Sequence, residues 1–294
     1  MKNILSLRNR ILLLCCSMVA IASVHAQDIA QYGSYLYEQT ARNAGDTLTV
    51  FADTAYIRDQ PATSGKLIAP LPAGTKLVVL RDAGAAQTIK GFYTTWVQVR
   101  FLRDGVTKEG YIWKGLTALG VFNTGAHRFC YGIDRVATKQ GEDGGATMFI
   151  KLKAVSADNQ LLAAKTWPLS SIESTSLSEA KLLGNMGLDG LSDIVRIHFS
   201  GEACGVPDEY FYFGWTGAEL LELPGKSQVG DAGVYYHTET LLFPKEQGGK
   251  PGQIIKLIEE EEATEKMDKN GEPVMKKTNA RETYTWDGKK AVKS

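Results

Sequence analysis

From Asp46 to Leu119 the chain is a succession of short β-type runs: "TLTVF", "AYIR", "KLIAPL", "TKLVVL", "TTWVQVRFL" and "EGYIWKGLTAL". Gly65, Gly74, Gly91, Gly105 and Gly110 stand in the breaks. Runs that return every 10 residues or so leave no room for an ordinary helix, and they favour a small barrel or sandwich. Pro70 and Pro72 flank Leu71 and offer no amide hydrogen to a sheet, so that run belongs at an edge.

The pattern inside these runs is more specific. Ile57 and Arg58 precede a short loop containing Pro61, Gly74 opens an apolar strand, Trp96 and Val99 follow, and Gly110, Tyr111 and Ile112 close the series. In this order the segment resembles the bacterial SH3 domain. It departs at Tyr56, where that family usually has Asn, and in the insert "AGAAQTIKGFYTT" (83–95), which reads as a lengthened loop. Gly74 and Gly110 are expected at turns that need positive φ, and Pro61 presets the turn after Arg58. The resemblance implies a module that binds cell-wall material or another envelope protein. Arg58, Tyr93, Trp96, Tyr111 and Trp113 are its candidate ligand-facing residues. An Arg in this place also has a structural reading, with its stem packed and its head bonding turn carbonyls.

"VFNTGAHRFC" opens a second region with longer runs, including "TMFIKLKAVS", "SDIVRIHF" and "EYFYFGW". Ser176 and Glu179 form a capping-box pattern and Gly184 follows at a C-cap distance, which predicts one helix. Within it, Ser178 and Lys181 have the S-x-x-K spacing of penicillin-recognising enzymes. The companion S-D-N and K-T-G motifs are absent. "YFGWTGAELLEL" and "YTWDGKKAV" each read as a hairpin, turning at Gly217 and Gly288. "NMGLDGLSDIVRI" resembles an FG-GAP-type repeat, which would place Asn185, Asp189 and Asp193 as calcium-ligand candidates. That set falls short of the six or so oxygens calcium needs. Asn270-Gly271 predicts a long hairpin near the C-terminus. Pairing Lys269 with Glu272 sets Glu265 against Lys276, Glu260 against Arg281, Leu257 against Tyr284 and Ile255 against Trp286.

The first residues give the address. Lys2, Arg8 and Arg10 precede the apolar run "ILLLCCSMVAIAS", and "VHA" ends it in a small-x-small pattern. This is the order of a secretory signal peptide cut after Ala26, and the run is too short for a spanning helix. Residues 1–26 are therefore read as a signal peptide, 27–45 as a segment with helical potential, and export to the periplasm or beyond is expected, with no transmembrane segment remaining. Cleavage removes three basic residues and no acid, so 33 acidic residues face 30 basic ones. Nucleic acid, held mainly by phosphate neutralisation, is excluded as a partner. Cys130 and Cys204 remain, an even number for an oxidising compartment. A bond between them would stabilise the fold by about 4 kcal/mol; two unpaired thiols are the alternative.

The expected fold class is all-β in the main. A small SH3-like barrel over 46–119 precedes a second antiparallel β-domain over 123–294 that carries one helix. The expected function is a secreted, non-catalytic binding or scaffolding protein, and no motif implies a cofactor. The alternatives are a cell-wall hydrolase with its site in 123–294 and a calcium-stabilised surface protein. A hydrolase would need Cys130 or Cys204 beside a His base, and the zinc motif H-E-x-x-H is absent.

Overall fold

A computed structural model describes residues 35–40, 43–138 and 145–294. The signal-peptide reading (1–26) lies outside these residues. Residues 35–38 form a helical turn, and the rest of the described chain is nearly all strand, an all-β fold of three antiparallel sheets. No helix among the described residues is long and apolar enough to cross a membrane.

The first sheet holds β1 (Thr47–Thr49), β2 (Thr54–Arg58), β3 (Leu67–Pro72), β4 (Lys76–Ile89), β5 (Phe92–Arg103) and β6 (Val106–Trp113), in the order β1-β4-β5-β6-β2-β3. Pro70 and Pro72 lie on β3, an edge strand, where a missing amide hydrogen breaks no ladder. A 3-10 turn at Lys114–Leu116 follows β6. After it, Thr117 bridges Val50 and the Ala118 amide donates to the Thr49 carbonyl, which returns the chain to β1. Strict alternation divides β5 between two cores. Val97, Val99 and Phe101 join Leu48, Ile57, Leu71, Leu77 and Ile112 inside the sheet's own core. Phe92 and Trp96 point the other way, into a cluster shared with the rest of the molecule.

The insert 83–95 is not a loop. It forms the outer half of the β4–β5 hairpin, with Ile89 paired to Phe92 around Lys90 and Gly91, both at positive φ. Gly74 has the expected positive φ of 86°. Gly110 does not sit at such a turn; it lies within β6, where a side chain would meet Ile57 Cγ2 at 2.5 Å.

The second sheet runs β10-β9-β8-β7, from β7 (Gly120–Asn123), β8 (His127–Thr138), β9 (Ala146–Ser156) and β10 (Leu161–Pro168). The third is an eight-stranded meander in which every strand lies beside its sequence neighbour. It comprises β11 (Leu177–Leu182), β12 (Asp193–Ser200), β13 (Asp208–Trp215), β14 (Leu220–Asp231), β15 (Tyr235–Leu242), β16 (Gln253–Met267), β17 (Pro273–Trp286) and β18 (Ala291–Lys293). One face of β12–β14 packs on the second sheet, with Phe129 edge-on to Trp215, Tyr131 edge-on to Phe199, and Trp167 against Phe213. Trp96 and Trp113 of the first sheet belong to this same core. A third cluster, with Leu188, Ile194, Tyr212, Phe243, Ile254 and Trp286, fills the curl of the meander.

Two polar anchors cross between units. Buried Lys153 donates to the Phe51 carbonyl and to Asp53 Oδ1, both at 2.6 Å. Buried Glu209 accepts from the Ser170 and Ser171 amides and the Ser170 hydroxyl.

Three further expectations are corrected. The segment with the capping box is strand β11, not a helix: Ser176 Oγ donates to the Gly201 carbonyl, and Leu177 to Leu182 pair along β12. The C-terminal hairpin forms, but an irregularity between Ala263 and Met267 shifts its register, so Glu262 faces Lys276 and Leu257 faces Arg281. Cys130 is buried on β8, Cys204 is exposed in the β12–β13 connection, and both thiols are free.

Candidate functional site

The aromatic candidates of the first sheet do not form a groove. Trp96 and Trp113 are buried, and Trp113 Nε1 donates to the Gln87 and Thr94 carbonyls. Tyr93 is exposed. Tyr111 is half-buried and its hydroxyl accepts from Arg81. Arg58 holds its own loop, donating to the Gly65 carbonyl at 2.6 Å.

The calcium candidates do not converge either. Asn185 Oδ1 accepts from the Gly187 amide and from the Lys245 ammonium, which occupies the place a cation would take. Asp189 uses its backbone carbonyl to accept from Trp286 Nε1, and Asp193 begins β12 opposite Trp215. Among the described residues no three His, Cys, Asp or Glu side chains are grouped to hold a metal.

Ser178 and Lys181 lie on a strand, where residues three apart point to opposite faces. Ser178 Oγ accepts from Tyr131 on the core side. Cys130 is enclosed, and burial pushes its thiol up to about 11, far from a thiolate nucleophile. His127 is packed against Phe129 and Trp215.

The face of β11–β14 turned away from the second sheet is different. Cross-strand pairing lines up Glu179, His198, Tyr210 and Lys226 in one row, and Lys181, Arg196, Tyr212 and Leu223 in the next. The His198 ring lies flat on Tyr210, with centroids 4.1 Å apart and planes within 3°. Lys226 Nζ stands 4.4 Å from the centre of the Tyr210 ring and the Arg196 guanidinium 5.7 Å from it. His198 Nε2 is 3.8 Å from Asp208 Oδ1, and its Nδ1 is 4.0 Å from Glu179. Desolvation lowers the His198 pKa against the pull of these two acids. Desolvation, then the Arg196 charge, lowers that of Lys226. Burial and the Asp208 charge raise that of Tyr210.

Beside these rows an open cleft of 480 Å³ is lined by Ser200, Cys204, Asp208, Gln228, Tyr236 and His237, among others. Asp208 accepts from Gln228 Nε2 at 2.8 Å. On β15, His237 Nδ1 is 3.1 Å from Glu260. The surface offers aromatic stacking, cations and hydrogen-bond donors in a half-buried setting, which is the chemistry of recognition. Sequence reading singled out none of its rows. The signal was present in "DIVRIHFS" and "DEYFYFGW", where Arg196, His198, Asp208, Tyr210 and Tyr212 occupy every second place and, Glu209 apart, apolar residues fill the places between.

No protein-family model, no curated protein and no solved structure matches this chain.

Proposed function

We propose that the chain is an exported, non-catalytic binding protein of the cell envelope, which recognises wall material or an envelope protein through the cleft and the half-buried row of side chains beside it on β11–β14. The observation that carries this reading is the row of His198, Tyr210 and Lys226 beside the cleft, an aromatic and cationic strip at the rim of the third cluster. The first sheet is read as an SH3-like unit. Its strand order and the 3-10 turn that leads Thr117 back to Val50 support that reading. Its tryptophans are buried in the shared core, so it serves here as a support, and recognition passes to the neighbouring sheet. The test is co-sedimentation of the purified chain with insoluble peptidoglycan. The expected result is protein in the pellet, with less of it after Tyr210→Ala. Protein wholly in the supernatant overturns wall recognition.

A further inference from the structure

The 480 Å³ cleft is built around one glycine. The β12–β13 connection, which carries Cys204, is held beside β14 by the Gly205 amide donating to the Gly230 carbonyl. On its other side Gly230 pairs with Tyr236 of β15, and the Tyr236 ring leans over it. Ring carbons Cδ1 and Cε1 lie 3.1 and 3.3 Å from where a Cβ at Gly230 would stand, so a larger residue there would press against the ring. Tyr236 is still 40% exposed, which leaves aromatic surface open to solvent where it lines the cleft. Cross-strand pairing sets Asp208, Gln228 and Thr238 in one row, and all three line the cleft together with Ser200. Asp208 Oδ2 accepts from Gln228 Nε2 at 2.8 Å. That bond leaves the amide oxygen, the second amide hydrogen and the other carboxylate oxygen for further partners.

This lining selects the chemistry of its ligand. Among the described residues that line the cleft there is no Lys or Arg, while Glu202 and Asp208 are both present, so an anion is repelled. An apolar ligand would bury Ser200, Asp208, Gln228 and Thr238 without giving them a partner. A cation would meet one ring where cation sites use a cage of several, and the Asp208 charge already acts on Lys226 and His198 in the next row. A neutral sugar fits each part. One face of its ring is made of C–H groups and lies on an aromatic surface. Its hydroxyls both donate and accept, which matches a carboxylate bonded to an amide. The volume lies within the range of small-molecule sites, about 300–1,000 Å³.

We propose that this cleft binds a neutral glycan, with one sugar ring stacked on Tyr236 and its hydroxyls held by Asp208 and Gln228. The inference deepens the binding reading and rests on it for the source of the sugar, the glycan strand of the wall and not its peptides.

Cys204 supplies the readout, because it is an exposed free thiol that lines the cleft. The purified chain is alkylated with iodoacetamide in rising concentrations of tri-N-acetylchitotriose or of cellotriose. The rate at Cys204 is read from its own peptide by mass spectrometry. The expected result is saturable protection by at least one trimer, and the stronger protector assigns the sugar. Tyr236→Ala is expected to raise the half-protecting concentration about tenfold. Tyr236→Phe, which keeps the ring, changes it little, and Tyr56→Ala, an exposed tyrosine of the first sheet, leaves it unchanged. No protection by either trimer overturns the site, as does unchanged protection in Tyr236→Ala protein. Equal protection by choline chloride also overturns it and marks the cleft as a cation site. Protection by sugar while peptidoglycan leaves the protein in the supernatant refutes the wall reading and keeps the site. Protein in the peptidoglycan pellet with no protection by sugar does the reverse.

Discussion

His198 is the residue whose chemistry most depends on where the fold has put it. Its ring is buried against Tyr210, with Asp208 and Glu179 near its two nitrogens and Arg196 close by. Desolvation outweighs the attraction of the two carboxylates and depresses its pKa below the ordinary 6.5. A group of this kind binds fewer protons in the folded state than in the unfolded one. Its contribution to stability is complete above 6.5 and is lost as pH falls through the depressed value. His198→Phe keeps a flat ring on Tyr210 and removes the titration. On acidification from about pH 7.5 to about pH 5, the wild type is expected to lose more stability than this variant. Denaturant midpoints at several pH values measure it, and parallel curves contradict it. Buried Lys153, in contrast, has both a carbonyl and a carboxylate and serves the fold alone.

Among the elements, the β4–β5 hairpin has the most specific task. At its tip the Lys90 carbonyl accepts from the Val136 amide, and Gly91, at φ 83°, lies against β8 so closely that a Cβ would be 2.1 Å from the Val136 carbonyl oxygen. Gly91→Ala is expected to cost about 2–3 kcal/mol, from both strain and collision. Gly84→Ala, also at positive φ but facing open space, is expected to cost about 1 kcal/mol. Urea unfolding compares the two, and equal losses contradict the docking role. The sequence made the strands legible because apolar residues alternate with polar ones at period two, and because Gly217 and Gly288 mark turns that do form. It misled at Ser176–Gly184, where a local capping pattern competes with the cross-strand partners that β12 supplies. It misled at the C-terminal hairpin too, because charge complementarity is satisfied in more than one register and the irregularity after Ala263 selects another. The row of Glu179, His198, Tyr210 and Lys226 was hidden because its members come from four strands and meet only once the sheet is in register.

The whole molecule is held by a core that respects no boundary in the sequence. Trp96 and Trp113 from the first sheet, Phe129 and Trp167 from the second, and Phe213 and Trp215 from the third belong to one cluster. Unfolding is therefore expected as a single cooperative transition, with tryptophan fluorescence and far-ultraviolet dichroism changing together. Two separated transitions would mean that residues 46–119 melt on their own. The meander has a further consequence, for how the chain is made. Strands β11 to β18 take their places in the sheet in the order in which they are synthesised. Each new strand therefore finds its partner in the one just completed, and the second sheet, translated earlier, is already there to receive the apolar side of β12–β14. Assembly can thus proceed in the direction of translation, with only the first sheet waiting for Thr117 to come back to Val50.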